Sequence, residues 1–505
     1  MASPVPSSRW TAVWPCDPYL MAMLPEGFGL ALDRSLRRFR DGAVLAGGHP
    51  GRVVTLTAEG TAALAALVAG GAADPATADL AGRLVASGMA HPRRPTATVP
   101  VGRGPDGPGP TVTVVIPTRG RPNALDRCLA ALGDAHPVVV VDDASPDPAP
   151  IAAVCAARGA HLVRRTINGG PGAARNEGVA TVDSELVAFV DSDCTPGPDW
   201  LRSLVWQFAD PDVAAVAPRV VSAPPRGHAQ GRAIDRFHAG HSPLDLGPDE
   251  GEVGPGRAVR YVPTAAVVVR RTALEAVGGF APGMRVGEDV DLVWRLVDAG
   301  WRIRYAPSVT VGHDEPDRWS TLLARRFRYG TSAGPLAVRH PGRLAPVELR
   351  PLSTFAAVAA LGGRPLPAVV ALAASGLLLT RSVRPFGIPA RQAWAWSAQG
   401  AAWTVVGLGR AATMLSAPGL GVLATRGRRG ARAALVLVLV PPVLEWVRKR
   451  PDLDPVRWVA ASLADDVAYG AGVWTGALRS RSLGPLLPAV AGRTRLRPQH
   501  RRAVA

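Results

Sequence analysis

Lysine is almost missing from this 505-residue chain: Lys449 stands alone, so the 57 basic residues set against 40 acidic ones are nearly all arginine. The formal net charge of +17 points to anionic partners, but an arginine bias accompanied by 55 Gly and 49 Pro also fits simple compositional drift. Charge alone therefore does not choose among nucleic acid, anionic lipid and phosphorylated small molecules. No concentrated basic recognition helix occurs near the N-terminus, so nucleic acid is not an expected partner. Cysteine is scarce too. Cys16, Cys128, Cys155 and Cys194 are too scattered for a disulfide scaffold or a thiolate metal site, which suits a reducing compartment. The N-terminus lacks a basic segment before an apolar one, and 19–24 is too short for a signal core, so no cleaved signal peptide is expected.

What is present is apolar material in quantity, 47% of residues, enough for several cores and for two to four domains on length. The first hundred residues alternate short apolar runs with turns. Strands are expected at 29–32, 43–46 and 53–56, a helix capped by Thr57 over 62–68, and a second helix over 78–87. This describes a small α/β unit of winged-helix size (1–100). The Gly/Pro stretch within 101–110 reads as a linker. From Thr111 the pattern becomes strands at 112–116, 138–141, 161–164 and 186–190 separated by helical stretches. That rhythm predicts a mostly parallel sheet over 111–335, with ligands at the carboxyl ends of its strands.

Residues 336–505 are rich in Ala, Leu and Val. Apolar blocks at 365–380, 392–409 and 433–444 fall short of, or barely reach, the roughly 20 residues that span a bilayer. They are either buried helices of a helical domain or membrane-associated segments. The arginines flanking them favour membrane contact.

Acidic clusters close the strands. The first strand runs into Pro117, Thr118 and Arg119, and the second into Asp142 and Asp143, where a nucleoside would find hydrogen-bond acceptors. These are equally ordinary turn acids when taken alone. Asn168 to Asn176, with Gly170 and Arg175, is a glycine-rich turn entering a helix that would let backbone approach a phosphate, although no Gly-Lys-Ser/Thr follows and it is not a P-loop. Asp191-Ser192-Asp193 ends a buried strand with two carboxylates that can grip Mg2+ or Mn2+. Further on, Glu288 and Asp289 open a helix. Acids there are favoured by the helix dipole, and Asp289 is the better candidate for a general base. His313 follows strand-like 303–305 and 309–311, and is either structural or a third metal ligand. Arg325 and Arg328 either cover a diphosphate or lie on a solvated helix face.

In order and content these motifs resemble the family 2 glycosyltransferases of GT-A fold, over 111 to about 329. The resemblance implies donor contacts from Asp143 and its neighbours, metal held by Asp191, Asp193 and His313, and Asp289 as the base of an inverting displacement. The Gln-x-x-Arg-Trp signature of long-chain polymer synthases is absent, which speaks against an extended processive polymer. Residues 28–33, 52–57, 328–332 and 339–342 make the chain similar, in addition, to the glycosyltransferases of mycofactocin biosynthesis. That likeness implies UDP-glucose as nucleotide-sugar donor, a peptide-derived acceptor and a short oligoglucoside product; with the arginine-flanked apolar blocks and no cleaved signal peptide, the expected place is the cytoplasmic face of the membrane. A glycosyltransferase acting on a polyprenyl phosphate or envelope glycan is the alternative.

Overall fold

The computed structural model describes residues 23–94, 109–224 and 231–490. They form two compact units, one drawn from Met1–Val221 and Leu244–His313, the other from Ser222–Pro243 and Asp314–Ala505.

The first unit opens with β1 (Gly29–Leu32), β2 (Arg37–Phe39), β3 (Val44–Gly47), β4 (Arg52–Thr55), α1 (Ala58–Val68), α2 (Ala78–Ala86) and β5 (Ala90–Arg93). β2, β3 and β4 make an antiparallel sheet, and β1 pairs with β5. Thr57 caps α1 by accepting from the Gly60 amide at 3.1 Å, as its position before the apolar run predicts. Phe28, Leu45, Val54, Leu64, Leu84 and Met89 give these elements a core of their own. Most of the expected linker, through residue 108, lies outside the described residues.

The main sheet is built from β6 (Val112–Thr118), β7 (Val138–Asp143), β8 (His161–Arg165), β9 (Leu186–Val190), β10 (Cys194–Pro196), β11 (Val213–Ser222), β12 (Gly251–Glu252), β13 (Ala266–Arg270) and β14 (Arg302–His313). Helices α3 (Pro122–Leu132), α4 (Ala149–Arg158), α5 (Pro171–Ala180) and α6 (Trp200–Val205) lie between its strands. α7 (Ala233–His241) belongs to the second unit, and α8 (Arg271–Ala276) and α9 (Glu288–Asp298) precede β14. Among the described residues the strand order is β10-β14-β11-β13-β9-β6-β7-β8, with β12 on β14. β9, β6, β7 and β8 are parallel, whereas β13 runs antiparallel to β9 and β11 antiparallel to β13. The expected mostly parallel sheet is thus parallel in one half only. Helices still separate the later strands, with α6 before β11, α7 after it and α8 and α9 before β14, but these connections return the chain antiparallel, so a helix between two strands does not by itself fix their relative direction. The strand-like 303–305 and 309–311 are one continuous strand, β14.

All five residues of β9 are fully buried, which is why its sequence is apolar on both faces and carries charge only beyond its end. α5 lies close on the sheet. A Cβ at Gly178 would stand 2.5 Å from Val115 and 3.0 Å from Val141, so the helix carries glycine at the point of closest approach.

The second unit holds α10 (Trp319–Thr331), α11 (Ala333–Arg339), α12 (Pro351–Leu361), α13 (Pro365–Val383), α14 (Ala390–Thr425), α15 (Gly427–Lys449) and α16 (Pro455–Arg479). α10 and α16 meet backbone to backbone: a Cβ at Gly472 would lie 2.0 Å from the Phe327 carbonyl oxygen, and one at Gly330 2.1 Å from that of Tyr469. This contact places α10 with the C-terminal helices in the second unit. Three stretches, Pro365–Phe386, Ala390–Thr425 and Gly427–Lys449, are long and apolar enough to cross a membrane by length and composition. The apolar blocks underestimate them because arginine, a good helix former, does not end a helix: the first runs on past Arg381, the second past Arg391 and Arg410, and the third begins before Arg432. Leu366, Val369 and Val370 on α13, and Trp403 on α14, are large and exposed.

Gly178→Val should therefore lift α5 from the sheet, costing about 1–3 kcal/mol or more. A lowered denaturation midpoint, compared with Gly197→Ala, where a Cβ would meet nothing within 4 Å and φ is not positive, checks this.

Candidate active site

β6, β7 and β9 deliver their polar ends to one edge of the sheet. Parallel register sets Asp142 beside Arg164 and Asp143 beside Arg165 on β8. Asp142 is fully buried and accepts from the Ser145 amide at 2.9 Å, from the Ser145 hydroxyl and from Arg164. Both its oxygens serve the protein, so it braces the strand end instead of facing the cleft. Asp143 accepts from the amides of Gly169 (2.9 Å) and Gly170 (2.7 Å) and pairs with Arg165 at 3.0 Å. It thereby fixes the glycine-rich turn, whose Gly170 takes the positive φ of 86°. Asn168 Oδ1 also accepts from the Gly170 amide, at 3.1 Å. Thr118 donates to the Gly120 carbonyl at 3.1 Å, and the Gly120 amide donates to Ser145 at 2.7 Å, which joins the β6 and β7 loops beside Pro117. Arg119 is exposed over the Ala144 carbonyl.

The strand β9 ends in Asp191, buried Ser192 and Asp193. Antiparallel pairing sets Cys194 opposite His313, the last residue of β14, and so brings Asp193 Oδ1 to 3.6 Å from His313 Nε2. Asp193 Oδ2 accepts from Arg121 at 2.8 Å, and Asp191 Oδ1 from Arg175 at 2.6 Å. Arg175 is 2% exposed. Its other arm donates to Glu288 at 3.0 Å, and its guanidinium lies 5.4 Å from the centre of the Phe280 ring. Asn176, next along α5, donates to the Phe280 carbonyl (2.9 Å) and accepts from the Phe280 amide (2.8 Å). Arg295 donates to the carbonyls of Val277 (2.6 Å) and Gly279 (2.7 Å), tying α9 to the same loop. Asp289 is thus presented by a helix held at its first turn and its last.

Two carboxylates and an imidazole on adjacent strand ends are the donor set that a hard divalent cation takes. Asp193 and His313 already face each other, whereas Asp191 turns one oxygen to Arg175. Among the described residues no three His, Cys, Asp or Glu side chains form a ready cage. The residues fit Mg2+ or Mn2+ in kind, with Asp193 and His313 as the preformed pair.

Residues 113–277 match the family model described as Glycosyl transferase family 2. The pre-mycofactocin glycosyltransferase of Mycobacterium tuberculosis is 37% identical over 488 residues, covering 92% of this chain and 98% of that protein. The chain belongs to glycosyltransferase family 2. Glycosyltransferase AglE of Haloferax volcanii is 26% identical over 230 residues, 44% of this chain and 72% of its own. A solved mannosyltransferase from Pyrobaculum calidifontis, in complex with GDP-Man and Mn2+, is 22% identical with a TM-score of 0.36, covering 59% of this chain and 86% of that one.

In this glycosyltransferase the first unit brings together Pro117, Thr118, Asp143, Asn168, Gly170, Arg175, Asp191, Asp193, Glu288, Asp289 and His313. Arg325 and Arg328 belong to the second unit, where Arg325 pairs with Glu315 and Arg328 is exposed. Glu288, which opens the helix beside Asp289, is buried on Arg175. Sequence reading missed Arg121, Ser145, Arg164 and Arg165 as parts of the site. The paired Asp-Asp and Arg-Arg at the ends of neighbouring strands were the available signal for the last two.

Burial and the Glu288 charge push the half-buried Asp289 carboxyl up to about 7, with the Val290 amide and Arg175 opposing them. Burial likewise raises Asp191, against the pull of Arg175. A base at that value is ionised just where a sugar hydroxyl must lose its proton. Only the ionised form accepts a proton, so kcat/KM should rise with pH through about 7 and level above it. Asp289→Asn should lower kcat by about 10²–10⁴-fold with little change in donor KM. A flat pH profile, or near-wild-type turnover in that variant, would remove Asp289 from the role.

Proposed function

We propose that this glycosyltransferase is an inverting enzyme that moves glucose from UDP-glucose onto a peptide-derived mycofactocin precursor, building a short oligoglucoside. The observation that carries the acceptor class is the 37% identity to a pre-mycofactocin glycosyltransferase, which extends over 92% of the chain and so includes the regions outside the catalytic core. For the chemistry, support comes from the single rigid frame that holds Asp289 and the Asp191-Ser192-Asp193 triplet through Arg175.

In this reading Asp191, Asp193 and His313 hold a divalent cation, Mg2+ or Mn2+, which when bound neutralises charge on the departing nucleoside diphosphate. The strand end at Pro117 and Thr118 and the 168–170 turn, which Asp143 holds in place through the Gly169 and Gly170 amides, receive the nucleoside end of the donor. Asp289 takes the proton of the acceptor hydroxyl as that oxygen attacks the sugar carbon opposite the diphosphate, which inverts the configuration. Acceptor choice falls to residues outside the catalytic core. The exposed apolar side chains of α13 and α14 and the three membrane-length stretches support attachment to the membrane, which in this reading is at its cytoplasmic face.

Those same stretches favour a second reading, with the same chemistry acting on a polyprenyl phosphate or envelope glycan. The two separate in one assay with radiolabelled UDP-glucose, purified enzyme, the peptide-derived precursor and a membrane lipid extract. Label in the water-soluble precursor, lost on chelation and restored by Mn2+ or Mg2+, is expected. Label confined to the organic phase would replace the peptide-derived acceptor with a lipid one.

A further inference from the structure

Both carboxylates of the triplet are held by guanidinium groups, and the two holders differ in kind. Arg175 is 2% exposed and fixed by Asp191, Glu288 and Phe280, so it is part of the frame. Arg121 is 69% exposed and reaches only the outer oxygen of Asp193, at 2.8 Å, while the inner oxygen faces His313 at 3.6 Å. Its backbone sits at φ 58°, ψ 50°, at the turn from β6 into α3. A non-glycine residue held in that left-handed region, with a long charged side chain aimed at a candidate metal ligand, calls for a role.

We propose that Arg121 is a positioning residue that trades partners. It balances the charge of Asp193 before the divalent cation arrives, yields the outer carboxylate oxygen to that cation, and swings to the diphosphate of the donor. This rests on the metal reading above. An exposed ion pair is weak and easily displaced. A cation arriving beside Asp193 repels the guanidinium, and the planar guanidinium fork matches phosphate oxygens in two-point hydrogen bonding. Metal and nucleotide then favour each other's binding, because each removes an obstacle to the other.

The test uses the full-length enzyme and its Arg121→Gly and Arg121→Gln variants. Glycine suits the positive φ, so one variant removes the guanidinium without backbone strain, and the other keeps the side-chain bulk. Mn2+ binding without nucleotide is read by electron paramagnetic resonance of the free ion, then UDP binding at saturating Mn2+ by calorimetry. Both variants should bind Mn2+ alone about two- to fivefold more tightly, since a competing cation is gone, and should bind UDP about tenfold or more weakly. A merely structural arginine would weaken both. Mn2+ affinity unchanged or reduced in both variants, or UDP affinity unchanged, would overturn the exchange. Absence of Mn2+ binding by the wild-type enzyme would overturn the metal assignment beneath it.

Discussion

The site hangs on one buried cation. Arg175 holds Asp191 at the end of β9 with one arm and Glu288 at the start of α9 with the other. Two carboxylates brought this close in a desolvated place repel each other, and the guanidinium between them makes the arrangement tolerable. It also sets a distance: the donor end of the cleft and the helix that carries Asp289 cannot drift apart without breaking a buried ion pair. The rest of α5 enforces the same spacing. A Cβ at Gly172 would come within 3.2 Å of Phe280 and 3.3 Å of Glu288, Asn176 grips the Phe280 backbone from both sides, and Gly178 seats the helix on the sheet. Asp143 fixes the turn that leads into it. One ten-residue helix is therefore the beam to which the 168–170 turn, the Asp191-Ser192-Asp193 triplet and the start of α9 are all attached.

This explains a division of labour among the acids. Asp142 and Glu288 are consumed by arginines of the fold, and Asp291 pairs with Arg295 at 2.8 Å to steady α9. Asp143 acts through the backbone it positions. That leaves Asp193, Asp191 and Asp289 for chemistry, and they differ in what surrounds them. Asp191 and Asp193 lie among cations and an imidazole, which suits ligands. Asp289 lies beside another carboxylate, and its raised proton affinity suits a base.

Much of this was legible before any coordinates. The strands β6, β7 and β9, the N-cap at Thr57 and the motif order follow from apolar runs closed by acids and glycines, and those are local signals. The pairing of Arg175 with Glu288 was not, because it joins residues 113 positions apart and depends on how α5 and α9 meet. The antiparallel half of the sheet was hidden for a related reason: strand direction is set by the path of the connection, and β11 and β13 are separated by a long excursion that includes α7 in the other unit. The membrane-length helices were read too short, since arginines that mark the edge of an apolar block do not interrupt helical hydrogen bonding. The structural roles of Asp142 and Glu288 escaped because a carboxylate's partner cannot be read from its own neighbours in sequence.

The central proposal is that Asp289 and the Asp191-Ser192-Asp193 triplet work from opposite faces of one sugar carbon. The anomeric configuration of the first product tests it most directly. With α-linked UDP-glucose as donor, proton NMR of the isolated product should show the large diaxial coupling of a β-glucoside. The small coupling of an α-glucoside would mean retention of configuration and would contradict a single displacement with Asp289 as its base.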